Sequence, residues 1–213
     1  LRPENPHFQL NDERSKLRLL AGAGLDGAII MTFNAALAST SAEDFVVKIL
    51  RGRFAISGAV LGFDFHFGKN RTGSPELLRE QGEQLGFSVD VVPPLEDEGR
   101  PVSSGAVRAA LTQGKVSEAS ELLGAPWFVS GEVIAGAKRG RDLGFPTANV
   151  RLDPSCGLKH GIYAVRANVG GRLIDGVASF GRRPTFDNGA PLLEVFLFGF
   201  DGDLYGQWIE VAF

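Results

Sequence analysis

The grammar of the chain changes at Gly124-Ala125-Pro126, and that change constrains the fold more than any other feature. Before it, helical and strand patterns alternate. Asn11 is placed to cap a helix carrying Leu17, Leu20 and Ala21 on one face, and a buried strand is expected at 28–33 (Ala-Ile-Ile-Met-Thr-Phe). Ser41 opens a helix with Phe45, Val46, Ile49 and Leu50 at i, i+4 spacings. A strand near Ala59–Phe63 follows. Next come a helix started by Ser74-Pro75 and stopped by Gly86, and a strand over Phe87–Val92. A β-α-β-α-β order of this kind implies a parallel sheet covered by helices, a Rossmann-like, doubly wound nucleotide-binding fold.

From Trp127 onward the chain reads as short strands broken by glycine and proline: Phe128–Ala135, Ile162–Val169, Gly176–Phe180, Leu192–Phe200 and Trp208–Phe213. With no helical pattern between them, they predict a small antiparallel barrel or sandwich. Two domains are therefore expected, 1–123 and 124–213.

Composition narrows the functional classes. Net charge is −3, from 22 Lys+Arg against 25 Asp+Glu, so no global basic field exists to hold nucleic acid. The single cysteine, Cys156, suits a reducing cytoplasm. No apolar run reaches the roughly 18 residues that span a bilayer, and no membrane partner is expected. Leu1 in first position and a strand-like run ending at Phe213 are what a chain lacking both natural ends would show.

Three features of the second half carry chemistry. The stretch 136–149 (Gly-Ala-Lys-Arg-Gly-Arg-Asp-Leu-Gly-Phe-Pro-Thr-Ala-Asn) spaces Gly136, Gly140 and Gly144 around Lys138, Arg139 and Arg141. Such a loop either cradles polyphosphate with backbone N–H groups and charge, or is a solvated hairpin with basic tips. Just after it, Thr147 and Asn149 are i, i+2 and share one face of an extended chain. Hydroxyl and amide oxygens are hard ligands that suit magnesium alongside ATP phosphates, or they are an ordinary polar strand face. Glu194 is the only charge in an apolar run, Leu192–Phe200. A desolvated carboxylate there is a better proton acceptor, unless it pairs with an arginine such as Arg182 or Arg183.

In the first half, Gly62-Phe63-Asp64-Phe65-His66-Phe67-Gly68-Lys69-Asn70-Arg71 leaves the end of an expected central strand. Ser103 and Ser104 open a helix with Arg108 one turn in, which makes either a phosphate seat or plain N-capping. His66 reads as a strand-edge side chain.

Five ordered motifs of the second half resemble the riboflavin kinase family: Gly-Arg-Asp-Leu-Gly-Phe-Pro-Thr-Ala-Asn (140–149), His-Gly-Ile-Tyr-Ala-Val (160–165), Arg-Pro-Thr-Phe (183–186), Leu-Glu-Val (193–195) and Asp-Leu-Tyr-Gly (203–206). The resemblance implies a six-stranded Greek-key barrel. It implies Mg-ATP held by Thr147 and Asn149 beside a nucleotide loop with Gly136, Lys138, Gly140, Arg141, Gly144 and Pro146. Glu194 would be the base that activates the ribityl 5′-hydroxyl of riboflavin. Phe196 stands where the family usually has histidine, and the family's C-terminal helix has no counterpart.

The first half is similar to the adenylyltransferase module of bifunctional bacterial FAD synthetases. That resemblance implies nucleotide or flavin contacts from Asp64, Phe65, Arg71, Ser103, Ser104 and Arg108. Gly105 replaces a threonine of that family's signature, and its N-terminal glycine- and histidine-rich block has no counterpart. The expected activity is riboflavin to FMN and, in the intact protein, FMN to FAD. A kinase with a non-catalytic nucleotide-binding first half is the alternative, and a flavin-binding module without catalysis is a third.

Overall fold

The computed structural model describes residues 7–97, 99–134, 147–182 and 191–213. Contacts divide the chain into two compact units, Leu1–Ala28 with Val102–Phe213, and Ile29–Pro101. Each is taken by itself.

Helix α1, Glu13–Gly22, opens the described chain. Its cap is Asp12, one residue later than expected, because the Asp12 carboxylate is the group that accepts the Ser15 N–H, at 2.6 Å.

The unit of residues 29–101 begins with extended chain rather than the strand expected at 28–33. Ile29, Ile30 and Phe33 are 67%, 59% and 58% exposed, and no strand pairs with them among the described residues. An apolar run makes a strand only where a neighbour supplies the ladder. Helix α2 is Ala35–Ala38. Helix α3, Ala42–Asp44, is capped by the Ser41 hydroxyl and continues as a π-helix over Phe45–Arg53. Strand β1, Gly58–Gly62, and helix α4, Pro75–Leu85, follow. Ser74 caps α4, Pro75 occupies its first turn, and Gly86 closes it in the left-handed conformation, all as the sequence predicts. Strand β2, Ser88–Val92, pairs parallel with β1 from Gly58↔Ser88 to Gly62↔Val92. Ala42, Val46, Phe67, Leu78 and Phe87 form the buried core between these elements. A two-residue antiparallel ladder, β3 (Glu96–Asp97) with β4 (Arg100–Pro101), ends the unit. The sheet thus has the expected parallel sense, but among the described residues β1 is one strand of two rather than its centre.

The other unit resumes with helix α5, Ser104–Gln113, and helix α6, Val116–Leu123, which the sequence patterns did not separate. Six strands follow: β5 (Phe128–Ile134), β6 (Ala148–Arg151), β7 (Gly161–Val169), β8 (Arg172–Arg182), β9 (Pro191–Leu197) and β10 (Trp208–Ala212). They close into an antiparallel barrel in the order β10-β5-β6-β9-β8-β7. Alternate residues face inward, among them Val133, Val150, Ala167, Ala178, Leu193, Val195 and Val211. Gly176 allows β8 to pass close to β9, since a Cβ there would strike the Phe196 carbonyl oxygen. Val107, Ala110 and Leu111 of α5 and Ala119 of α6 extend the same apolar cluster.

The segment 8–18 is fastened to this barrel. The Trp127 indole N–H donates to the Leu10 carbonyl at 3.0 Å, and Arg108 Nε donates to the Phe8 carbonyl at 2.6 Å. Phe8 meets the Trp127 ring edge-on. The Ser130 hydroxyl donates to Asp12 and lies 2.8 Å from the hydroxyl of Ser15, which is 2% exposed. Arg18 pairs with Glu210 at 2.8 Å and lies over Phe128, and Arg14 lies over Trp208.

Candidate active site

Strand β9 decides which residues share the candidate site. Leu193, Val195 and Leu197 point into the barrel, so Glu194 and Phe196 face outward, and both are half-buried. The desolvation expected of Glu194 is therefore partial. On the neighbouring strand β6, Ala148 and Val150 are core residues, which puts Asn149 on the outer face. Register makes Asn149 the direct partner of Glu194, and on the other side Glu194 is the direct partner of Ser179 in β8. Directly opposed residues place their Cβ atoms about 5 Å apart. Thr147, one residue ahead of β6, is half-buried and continues the alternation. Two polar residues that the sequence did not single out lie on this face, Arg151 and Ser179, both exposed. The period-two pattern of β8, with Ala178 and Phe180 in the core, was the signal for Ser179.

Asn149 tests whether a metal fits. The residue is only 5% exposed, and its Oδ1 has no hydrogen-bond partner among the described residues. A buried acceptor left unmet costs about 1–3 kcal/mol, which a bound cation or donor would recover. Among the described residues no cluster of three or more His, Cys, Asp or Glu is placed to hold a metal. The oxygens at hand are those of Thr147 and Asn149, with the Glu194 carboxylate opposite Asn149; all are hard ligands of the kind that a magnesium ion shares with phosphates. The residues fit the ion. Gly136, Lys138, Gly140, Arg141, Gly144 and Pro146 lie outside the described residues, as do Arg183 and the side chain of Arg182.

The expected adenylyltransferase residues fall in different compact units. Asp64, Phe65 and Arg71 are exposed on the loop after β1. That loop is held from beneath. Phe67 is buried and stacks near Phe65 and Phe45, the Lys69 N–H donates to the Thr40 carbonyl at 2.7 Å, and His66 Nδ1 lies 3.1 Å from the Gly73 carbonyl. Gly68 has φ +72°, and an added Cβ would lie 2.6 Å from the Ala42 backbone, so glycine is required where the loop meets α3. In the other unit, Ser103 caps α5 by accepting the Ala106 N–H at 3.1 Å, and Ser104 is exposed in the first turn. Arg108 is half-buried and engaged by the Phe8 carbonyl.

Comparison with known proteins finds relatives along both halves of the chain. A protein-family model described as riboflavin kinase matches residues 123–213, and one described as FAD synthetase matches residues 1–106. Curated proteins named bifunctional riboflavin kinase/FMN adenylyltransferase match along the chain. The one from Buchnera aphidicola is 36% identical over 99% of this chain and 68% of its own length. The one from Haemophilus influenzae is also 36% identical, with the same coverage. The Escherichia coli K12 protein is 37% identical over 93% of this chain and 64% of its own. The chain thus spans about two thirds of the length of these relatives. A crystal structure named as a macrolide-efflux protein from Streptococcus pneumoniae matches with a TM-score of 0.83 at 32% identity, covering 96% of this chain and 66% of that one. Among the described residues no helix is long and apolar enough to cross a membrane.

Proposed function

The chain belongs to the bifunctional riboflavin kinase/FMN adenylyltransferase family, and on that footing we propose that its barrel phosphorylates riboflavin with Mg-ATP and its first half serves adenylyl transfer to FMN. The functional regions are 124–213 for the kinase and 1–123 for the adenylyltransferase, although α1, α5 and α6 fall in the compact unit of the barrel. The observation that carries the kinase assignment is the pairing of Glu194 with Asn149 on the outer face, where Asn149 brings a buried, unmet oxygen.

Glu194 accepts the proton of the ribityl 5′-hydroxyl as that oxygen attacks the terminal phosphate of ATP. A general base of this kind contributes about 10²–10⁴ in rate. A magnesium ion held by Thr147 and Asn149 would neutralise phosphate charge. Lys138, Arg141 and the backbone around Gly136, Gly140, Gly144 and Pro146 hold the nucleotide. Most of the remaining catalysis is positioning, as phosphoryl transfer requires.

For adenylyl transfer, Ser103, Ser104 and Arg108 bind nucleotide phosphates at the α5 N-terminus, and Asp64, Phe65 and Arg71 contact nucleotide or flavin. A kinase-only protein is not favoured, because the FAD synthetase match covers 1–106 and the bifunctional relatives match across both halves. The single thiol and the use of ATP suit cytoplasmic residence.

The test is incubation of the full natural chain with riboflavin and Mg-ATP, followed by chromatographic separation of riboflavin, FMN and FAD. FMN and then FAD are expected, with FMN formation lost on chelation of the metal. Absence of FMN would overturn the assignment.

A further inference from the structure

The outer face of the barrel around Glu194 has two unlike sides. Toward β6 lie Thr147 and Asn149, the oxygens assigned above to metal and nucleotide. Toward β8 the opposed residue is Ser179, flanked at i±2 by Val177 and Gly181, which offer no side-chain hydrogen bond. Beyond Ser179, its direct partner in β7 is Ile162, an exposed apolar side chain. The row therefore runs carboxylate, hydroxyl, apolar surface, over two interstrand spacings or roughly 10 Å.

Phosphoryl transfer keeps the attacking and leaving oxygens in line on opposite sides of the phosphorus. With the nucleotide on the β6 side of Glu194, the alcohol must reach the base from the β8 side. Riboflavin presents its groups in the same order as the row: a reacting alcohol, further hydroxyls, then a ring. We infer that Ser179 is a specificity residue for the acceptor, its hydroxyl hydrogen-bonding a polyol hydroxyl next to the one that reacts. The inference rests on the kinase reading of Glu194 and adds to it a residue that governs affinity for flavin rather than for ATP. Ser179 suits the task because it is exposed, while Ala178 and Phe180 on either side of it are buried in the core, so the hydroxyl can be removed without disturbing packing.

Flavin-fluorescence titration without nucleotide gives a readout independent of turnover. In the full natural chain, Ser179→Ala is expected to raise the riboflavin Kd and KM about five- to tenfold, the worth of one net hydrogen bond. The KM for ATP stays unchanged and kcat stays within about twofold, and Ser179→Thr recovers most of the affinity. An isoalloxazine that lacks the polyol binds wild type and Ser179→Ala equally. Unchanged riboflavin affinity in Ser179→Ala, an equal loss for the analogue without polyol, or a raised KM for ATP would each overturn the inference. Glu194→Gln, measured in parallel, separates the two levels. Full turnover in that variant removes the kinase reading itself, whereas an inactive Glu194→Gln beside a Ser179→Ala of normal flavin affinity removes only the role of Ser179.

Discussion

The barrel and the unit of residues 29–101 meet the same requirement, paired strands over a dry core, to different degrees. Every barrel strand has a partner on both sides, so no edge remains, and the apolar cluster extends into α5, α6 and Trp127. In the other unit two parallel strands share a core of five buried side chains, and Val60 of β1 is exposed along with Ile29 and Ile30. Closure rather than strand composition separates them, for both contain apolar runs of similar length. The lesson carries to function: the groups on the barrel face are fixed by register on three adjacent strands, whereas Asp64, Phe65 and Arg71 stand exposed on a loop.

If the two regions carry separate activities, the largest expected effect is chemical. Glu194→Gln should lower FMN formation by about 10²–10⁴ while leaving FAD formation from supplied FMN untouched. Chromatography of both reactions checks it, and an equal loss in the second reaction would break the separation. A second test is mechanical. Trp127→Ala removes an indole that packs against the barrel core and holds Leu10, and should destabilise the barrel by about 3–5 kcal/mol. Leu78→Ala should cost about 2–5 kcal/mol and be felt in the other unit. Hydrogen exchange resolves the two regions, and loss of protection in both from either substitution would show that they unfold as one.

A third prediction concerns the unmet oxygen. Asn149→Leu should stabilise the ligand-free protein by about 1–3 kcal/mol, read from denaturant midpoints, and abolish the metal dependence of ATP binding. A destabilised variant would mean that the amide is already satisfied.

The smallest effect is electrostatic. Burial pushes the pKa of Asp12 up, but hydrogen bonds from Ser130 and Ser15 and the charge of Arg14 outweigh it and leave the group below its ordinary value of 3.8. A carboxylate depressed on folding contributes stability that is complete above the unfolded value and is lost as the pH falls below it toward the folded value. Asp12→Asn should therefore flatten the acid limb of the stability curve below about pH 4 without reshaping it near neutrality. An unchanged acid limb would show that the link between Asp12 and Ser130 contributes nothing to fastening α1.

Local chemistry was legible in the sequence wherever a few neighbouring residues decide the outcome. Ser41, Ser74, Pro75 and Gly86 mark helix ends because caps act within one turn. Asn11 and Asp12 are both capping residues, so only geometry distinguishes them. The run 28–33 failed as a strand because pairing is a property of the neighbour, which local pattern does not contain. The same limit applies to the site. Thr147 and Asn149 were readable as a pair at i, i+2, and Glu194 as an isolated charge, but their meeting depends on a register between strands far apart in sequence. The period of β8 marked Ser179 as outward-facing, but its place beside Glu194 depends on the same register.

The fastening of α1 also has a consequence for the order of synthesis. Ser15 finds its partner Ser130 at a separation of 115 residues. At translation speeds of 5–20 residues per second, the helix leaves the ribosome roughly 6–23 s before the residue it must hold exists. Until then Ser15 and Asp12 are hydrated, and Phe8 and Leu10 lack the apolar cluster they pack against. A helix made well before the barrel is thus secured only after it. A pulse of protease during synthesis should cut near residues 14–18 in short nascent chains and spare that stretch once the barrel is complete.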